Sequence, residues 1–450
     1  MTDKIEQIIH NYKNKSAGLG QVRADLTGLL DTDLKPVTQA LLALFFNETY
    51  SELPADIKPD QDYFLVIVNG SVLNPGGELK KENILIYKDK IVATSSNMPD
   101  NLETTAVNTY TIDAKDLVIT PGLIDQHIHG GYGYDFNLSS VEDMIHLAQM
   151  LPRHGVTSIV PTIMTAAESV IKEQINRVKL AKKALPDNAA RFLGIHLEGP
   201  YLSLKHKGIQ PENDILPAVV ENFKKIEDPE IKIVSYAPEE DKDFKLTRYL
   251  ASKDIVPSAG HTSASAEIIE EASKLGLKQV THLFNAMAPL HHRNPGVIGE
   301  ALTNDNLYVE VIPDGLHLNP VTIDIILRTK PDSRVIFISD SLPLNHASTD
   351  SIVFGNQQVF RKENRAVNTD GTLAGSLIFL DTAIRNLINW QLGNLSRALR
   401  LTSLNSAENL GRADLGQIDR DKLADLVLWN IDNNYQVNTT IINGQIAFKR

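Results

Sequence analysis

The 450-residue chain contains no cysteine. That absence removes disulfides, thiolate metal ligands and cysteine nucleophiles from consideration, and it suits a reducing cytoplasm. An excess of positive charge is missing too. Lys and Arg number 44 against 56 Asp and Glu, a formal net charge of −12 with a pI near 5.6. A general basic face for nucleic acid is thereby excluded, and an anionic substrate needs a locally placed cation against the overall field. Long apolar runs are lacking as well. The longest early one, residues 40–46, is far too short to span a bilayer. The N-terminus has no basic segment followed directly by an apolar stretch, so it does not read as a signal peptide. The expectation is a cytoplasmic protein with neither a nucleic-acid nor a membrane partner.

What is present is ordinary for a globular protein: 42% hydrophobic and 22% charged residues. A chain of 450 residues exceeds one small core, which predicts a large domain with at least one smaller one. Residues 1–58 read as a helical extension. Ile5, Ile8, Ile9 and Tyr12 share a face, Leu26, Leu29, Leu30, Val37, Leu41 and Leu42 continue at similar spacing, and Pro54 and Pro59 close the segment. It carries no chemistry and reads as a packing or oligomerisation appendage.

From residue 62 the period becomes that of strands, with turn signals at Asn69-Gly70 and Pro75-Gly76-Gly77. The C-terminus repeats this pattern around a turn at Asn443-Gly444. Residues 59–120 and 413–450 are therefore expected to form one small β-sandwich domain from both ends of the chain. Between them, eight apolar runs alternate with amphipathic stretches: 122–129, 158–165, 192–198, 232–238, 255–261, 279–285, 307–314 and 335–340. Eight such units over residues 121–412 predict an α/β fold, a (β/α)₈ TIM-like barrel with its active site at the C-terminal strand ends. The third unit is the weakest, because its helix is poorly patterned.

The chemistry-bearing residues fall at those ends. The first run closes with His127-Ile128-His129 before Gly130-Gly131. Strand side chains alternate, so both imidazoles point to one side, a natural chelate for a divalent ion. Glu198, His261, His282 and Asp340 end four further runs. Each alone has an ordinary explanation, a polar cap or a turn cap. Their joint occurrence at runs one, three, five, six and eight points instead to a metal centre of imidazole and carboxylate donors, as for catalytic zinc or another borderline ion. His196 shares parity with Glu198 and is expected one layer deeper.

Residues from about 62 to 450 resemble the N-acetylglucosamine-6-phosphate deacetylase family of the amidohydrolase superfamily. The resemblance rests on PGLIDQHIHGG, HLEGPYLS, the GHTSAS around His261, THLFNAMAPLHHRNPG, DGLHLNP, ISDS and DGTLAGS. It implies metal-dependent removal of acetate from N-acetylglucosamine 6-phosphate in amino-sugar catabolism. Glu198, His261 and His282 would hold a divalent metal (Zn²⁺, or Fe²⁺, Mn²⁺ or Co²⁺), and Asp340 would act as base and then acid. His127 and His129 would permit a second ion. The resemblance further implies sugar-phosphate contacts at Asn285 and Ala286, a substrate-binding His317, and a sugar-site loop at Leu373, Ala374 and Gly375. It also implies a homodimer in which Arg293 reaches the neighbouring subunit's substrate phosphate, work that suits an arginine fork.

One stretch departs from the family. Its Lys-Gly-Ala-His here reads Lys207-Gly208-Ile209-Gln210, and Gln210 hydrogen-bonds but carries no charge. Ile209 and Gln210 are kept as substrate-site residues, while the sugar stays open between the glucosamine derivative and another N-acyl sugar phosphate such as N-acetylgalactosamine 6-phosphate. A catalytically silent sugar-phosphate binder is the alternative from another class. The intact donor set and Asp340 argue against it.

Overall fold

The computed structural model describes residues 63–96 and 108–450, with the short strand Ser51–Glu52. Eight parallel strands form the central barrel: β1 (Leu123–Ile128), β2 (Val156–Met164), β3 (Ile195–Glu198), β4 (Ile231–Tyr236), β5 (Val256–Ala259), β6 (Gln279–Val280), β7 (Tyr308–Val311) and β8 (Val335–Phe337). All eight predicted runs are present. β1 and β2 are buried along their whole length, as parallel strands covered by helices must be. The ring closes where the chain beyond β8 reaches β1: Asp340 N donates to the His127 carbonyl at 2.9 Å, and His129 N to that of Ser341 at 3.0 Å.

Helices follow the strands: α1 (Val141–Met150), α2 (Glu168–Ala184), α3 (Val220–Ile226), α4 (Lys245–Ala251), α5 (Ala266–Lys274), α6 (Gly296–Thr303), α7 (Pro320–Thr329) and α8 (Leu380–Asn389). Several starts are written locally. Ser140 and Asp143 make a reciprocal capping box on α1, and Ser265 and Asn319 cap α5 and α7. The third unit is indeed irregular. Two 3₁₀ turns at Leu204–His206 and Glu212–Asp214 precede the seven-residue α3, and the loop they occupy carries Gln210 into the barrel mouth. Between β8 and α8 the chain inserts an unpredicted three-stranded antiparallel sheet, Ser351–Phe354, Gln357–Lys362 and Arg365–Asn368.

The accessory domain consists of two sheets. One contains Tyr63–Val68, Asn83–Tyr87, Lys90–Ser95 and Asn108–Asp113; the other joins Ser71–Val72, Lys80–Lys81 and Val118–Pro121 to Leu426–Asn430, Gln436–Ile442 and Gln445–Lys449. Tyr63, Leu65, Ile84 and Ile86 from the first pack with Ile119, Leu426, Leu428 and Ile441 from the second in one apolar core. Ser51–Glu52, at the end of the stretch read as helical, instead pair in parallel with Tyr110–Thr111. Pairing with an available strand edge overrides helical periodicity in so short a segment. The rest of the proposed helical extension lies outside the described residues. Among the described residues no helix is long and apolar enough to cross a membrane.

The first turn of α8 carries Asp381, buried and bonded to His154 Nδ1 at 3.3 Å and to Arg385 at 2.8 Å; His154 in turn meets the Tyr132 hydroxyl at 2.7 Å. Burial pushes the Asp381 carboxyl up, but His154 and Arg385 outweigh it and bring it down from 3.8 to about 2. A carboxyl whose folded pKa lies below its unfolded value stabilises the fold above the unfolded value and ceases to do so as pH falls through the folded one. Asp381→Asn is therefore expected to cost about 2 kcal/mol in urea unfolding near pH 5, with the gap from wild type closing below about pH 3.

Candidate active site

The donors predicted from strand ends meet above the barrel lumen. His127 lies within β1, His129 just beyond it, and Glu198 closes β3. His261 and His282 each lie two residues beyond their strands, and Asp340 three beyond β8. His261, His282 and Asp340 all adopt positive φ, at 49°, 28° and 47°. This left-handed backbone costs about 1 kcal/mol or more for a non-glycine residue and is held only where surrounding structure enforces it. Here it turns three polar side chains inward as their strands end. Gly375, also at positive φ, lies so close that a Cβ would stand 2.9 Å from the Asp340 carbonyl oxygen, so only glycine fits there.

Glu198 is the hub. Its Oε1 lies 3.2 Å from His261 Nε2, 3.0 Å from His282 Nε2 and 3.6 Å from His127 Nε2; its Oε2 lies 3.4 Å from His129 Nε2. The His261 and His282 Nε2 atoms are themselves 3.2 Å apart. Asp340 Oδ1 stands 3.3 Å from His129 Nε2 and 3.5 Å from His127 Nε2. Glu198, His261, His282, His127 and His129 are all at most 5% exposed.

Burial pushes His127 and His129 down, yet the surrounding carboxylates outweigh it. Glu310, with Asp340 and Glu198, raises His127 to about 9, and Asp340 with Glu198 raises His129 to about 10. Burial would raise Glu198, but its contacts with His129, His261 and His282 hold it well below the usual carboxylate range. The pocket floor is thus a place where positive charge is strongly favoured, the field that a cation would meet.

The residues fit a divalent ion. Glu198, His261 and His282 present one donor atom each within 4.8 Å of one another, and so do His127, His129 and Glu198. Donors about 2.0–2.1 Å from a tetrahedral centre stand roughly 3.3 Å apart, close to the 3.0–3.2 Å separations of the first set. Two imidazole nitrogens facing one carboxylate oxygen at these distances need a shared cation or proton between them. Oxygen and nitrogen donors without sulfur suit zinc or another borderline ion. This centre can hold a metal ion, and the chemistry it supports is metal-dependent.

A cavity of about 290 Å³ opens over this floor. His129, Glu198, His261, His282 and Asp340 form one end, and Met164, Ile209, Leu342, Phe354 and Ala374 form an apolar wall. Asn285, Ala286, His317, Leu373 and Gly375 also line it, so the structure gathers most of the expected substrate residues. His317 Nδ1 is bonded to Asp314 at 2.7 Å; burial lowers this imidazole, but Asp314 outweighs it and raises it above the ordinary value. Gln210 reaches the pocket, but its amide is engaged. Nε2 donates to Glu198 Oε2 at 2.6 Å, and Oε1 accepts from Thr165 N at 2.9 Å. It therefore steadies the hub carboxylate. Arg293 is not brought in. It lies exposed on the loop after β6, beside His292 at 2.8 Å, and does not line the cavity.

Several residues escaped the sequence reading. Phe354 comes from the inserted sheet, and Met164 closes β2; neither bears a polar atom that would mark it as functional. Glu310 is fully buried in β7 and bonds His127 Nδ1 at 3.0 Å. Its signal was available: a lone carboxylate in the apolar run Tyr308-Val309-Glu310-Val311. His196 lies one layer below the site as expected, its ring 4.5 Å from that of His127 and its Nε2 2.7 Å from Ser235 Oγ.

Barrel, donor set and pocket together define a metal-dependent hydrolase, and the chain belongs to the amidohydrolase family, whose model matches residues 118–447. Within that family it is similar to N-acetylglucosamine-6-phosphate deacetylases. The enzyme of that name from Bacillus subtilis (strain 168) is 36% identical over 390 residues, 85% of this chain and 97% of the relative. The Homo sapiens protein of the same name is 30% identical over 393 residues, 83% of this chain and 93% of the relative. The crystal structure of the Pasteurella multocida deacetylase superposes with a TM-score of 0.78 at 27% identity, covering 85% of this chain and 99% of that one.

Proposed function

We propose that this enzyme hydrolyses the acetamide of N-acetylglucosamine 6-phosphate to glucosamine 6-phosphate and acetate, in the cytoplasmic breakdown of amino sugars. The observation that carries the reading is the meeting of Glu198, His261 and His282 with Asp340 at the floor of one cavity that also has an apolar wall. That wall suits the acetyl methyl, and the likeness to N-acetylglucosamine-6-phosphate deacetylases supplies the sugar phosphate.

Glu198, His261 and His282 would hold one divalent ion, zinc or else Fe²⁺, Mn²⁺ or Co²⁺; His127 and His129, with Glu198 between, would hold a second. Such an ion, when bound, acidifies water and polarises the acyl carbonyl. Asp340 accepts the proton of the attacking water and returns it to the departing amine. His317, anchored by Asp314, faces the cavity as a hydrogen-bond partner for the substrate. Asn285 and Ala286 flank the phosphate side, and Leu373, Ala374 and Gly375 line the sugar, with Ile209 and Gln210 completing the substrate site. Arg293, exposed and outside its own cavity, serves the partner's site in a homodimer.

Acetate release by metal-replete protein from N-acetylglucosamine 6-phosphate, N-acetylgalactosamine 6-phosphate and unphosphorylated N-acetylglucosamine, with and without added metal, tests this. The first substrate is expected to lead in kcat/KM. A lead for the second would reassign the epimer, and no acetate from any of them would leave a silent binder.

A further inference from the structure

We propose that Glu310 is a positioning residue which fixes the tautomer of His127, so that Nε2 presents its lone pair to a second divalent ion beside Glu198. The inference rests on the two-ion reading above and deepens it. Glu310 is fully buried on β7, away from the cavity. Its Oε2 accepts from His127 Nδ1 at 3.0 Å, while Oε1 accepts from Gln126 Nε2 at 2.7 Å and from Gln279 Nε2 at 2.8 Å. Those amides are themselves oriented. Asn409 Nδ2 donates to Gln279 Oε1 at 2.6 Å and to Gln126 Oε1 at 3.2 Å, which turns their N–H groups towards Glu310.

An ionised carboxylate can only accept, so the His127 proton shared with Glu310 must sit on Nδ1. The opposite nitrogen, Nε2, is buried without a hydrogen-bond partner and faces Glu198 Oε1 at 3.6 Å and Asp340 Oδ1 at 3.5 Å. A carboxylate behind a ligating histidine fixes ring orientation and raises ligand basicity, and removing such a partner typically weakens metal binding about 10- to 100-fold.

Glu310→Gln makes the claim sharp, because it keeps shape and reverses the proton. The new side-chain oxygen would stay with the two glutamine amides, leaving its NH₂ to face His127 Nδ1. That nitrogen would then have to accept, and the imidazole proton would move to Nε2, where the ion should bind. Manganese(II) titration of metal-free protein, followed by calorimetry and electron paramagnetic resonance, reads the outcome without reference to turnover. Wild type is expected to take two ions per chain and show an exchange-coupled spectrum. Glu310→Gln is expected to keep the first ion and bind the second roughly 10- to 100-fold more weakly, losing the coupled signal at matched concentration. Gln279→Met, which disturbs the same buried network without reversing the proton, is expected to keep both ions. Long-range ¹⁵N spectra of zinc-loaded wild type, with His127 assigned by mutation, give a readout independent of variant folding: the ring proton should be on Nδ1. Two ions bound equally well by wild type and Glu310→Gln, or a proton on Nε2, would overturn the role of Glu310 and leave the two-ion reading standing. Wild type that stops at one ion would overturn both while leaving the deacetylase reading intact.

Discussion

Asp340→Asn is expected to lower kcat by roughly 100- to 10,000-fold while metal content stays at the wild-type level. Asparagine keeps the shape of the side chain and an oxygen that can face His129, which lies 3.3 Å from Oδ1. It cannot take up and return a proton. In wild type, burial would push the Asp340 carboxyl up, but His129 and His127 outweigh it and hold it below the usual carboxylate range. That direction favours the ionised form, the form that a base requires. Asp340 is absent from both donor sets that converge on Glu198, so its replacement should spare metal binding. Near-normal kcat in the mutant would remove Asp340 from the proton pathway, and metal loss in parallel with activity would mean that it acts as a ligand.

Arg293→Ala is expected to cost 30- to 150-fold in kcat/KM on phosphorylated substrate, corresponding to about 2–3 kcal/mol for a charge-assisted contact. Residual activity on unphosphorylated N-acetyl sugars should be spared. The chain carries a net charge of −12, so its substrate phosphate needs a concentrated cation. Arg293 is exposed and outside the cavity of its own chain. Both facts agree with service across a dimer interface, and mixing tests it. Arg293→Ala and Asp340→Asn homodimers should each be nearly inactive, whereas a heterodimer of the two should recover one site in which an intact Asp340 meets the partner's intact arginine. Confirmed subunit exchange that restores nothing, or an active enzyme that sediments as a monomer, would end the idea.

The barrel was legible because its signals are local. Each strand is a short apolar run, and donors at the ends of runs one, three, five, six and eight needed only strand alternation and fold topology to be brought together. The inserted sheet between β8 and α8 was not legible. Its first two strands are mostly exposed or half-exposed and bury only Phe354 and Val359, so no sustained apolar alternation announces them. Helix α3 was rightly the weakest unit, since seven residues after two 3₁₀ turns leave little room for an amphipathic pattern.

Residue type and spacing by themselves determined which side chains could carry the chemistry: imidazoles and carboxylates without sulfur, placed where strands end. Only the tertiary structure decided how they are used. Glu198 became the hub because barrel closure brings His261 and His282, 63 and 84 residues away, to the same carboxylate oxygen. Gln210, marked as a substrate residue, was turned onto Glu198 by an irregular loop. Glu310, read as part of an apolar run, came to lie behind His127 across 183 residues of sequence. Arg293 was left facing outward. Alternation along one strand is a property of the local backbone, whereas hydrogen-bond partners between strands depend on barrel closure and on loop paths that no single segment encodes.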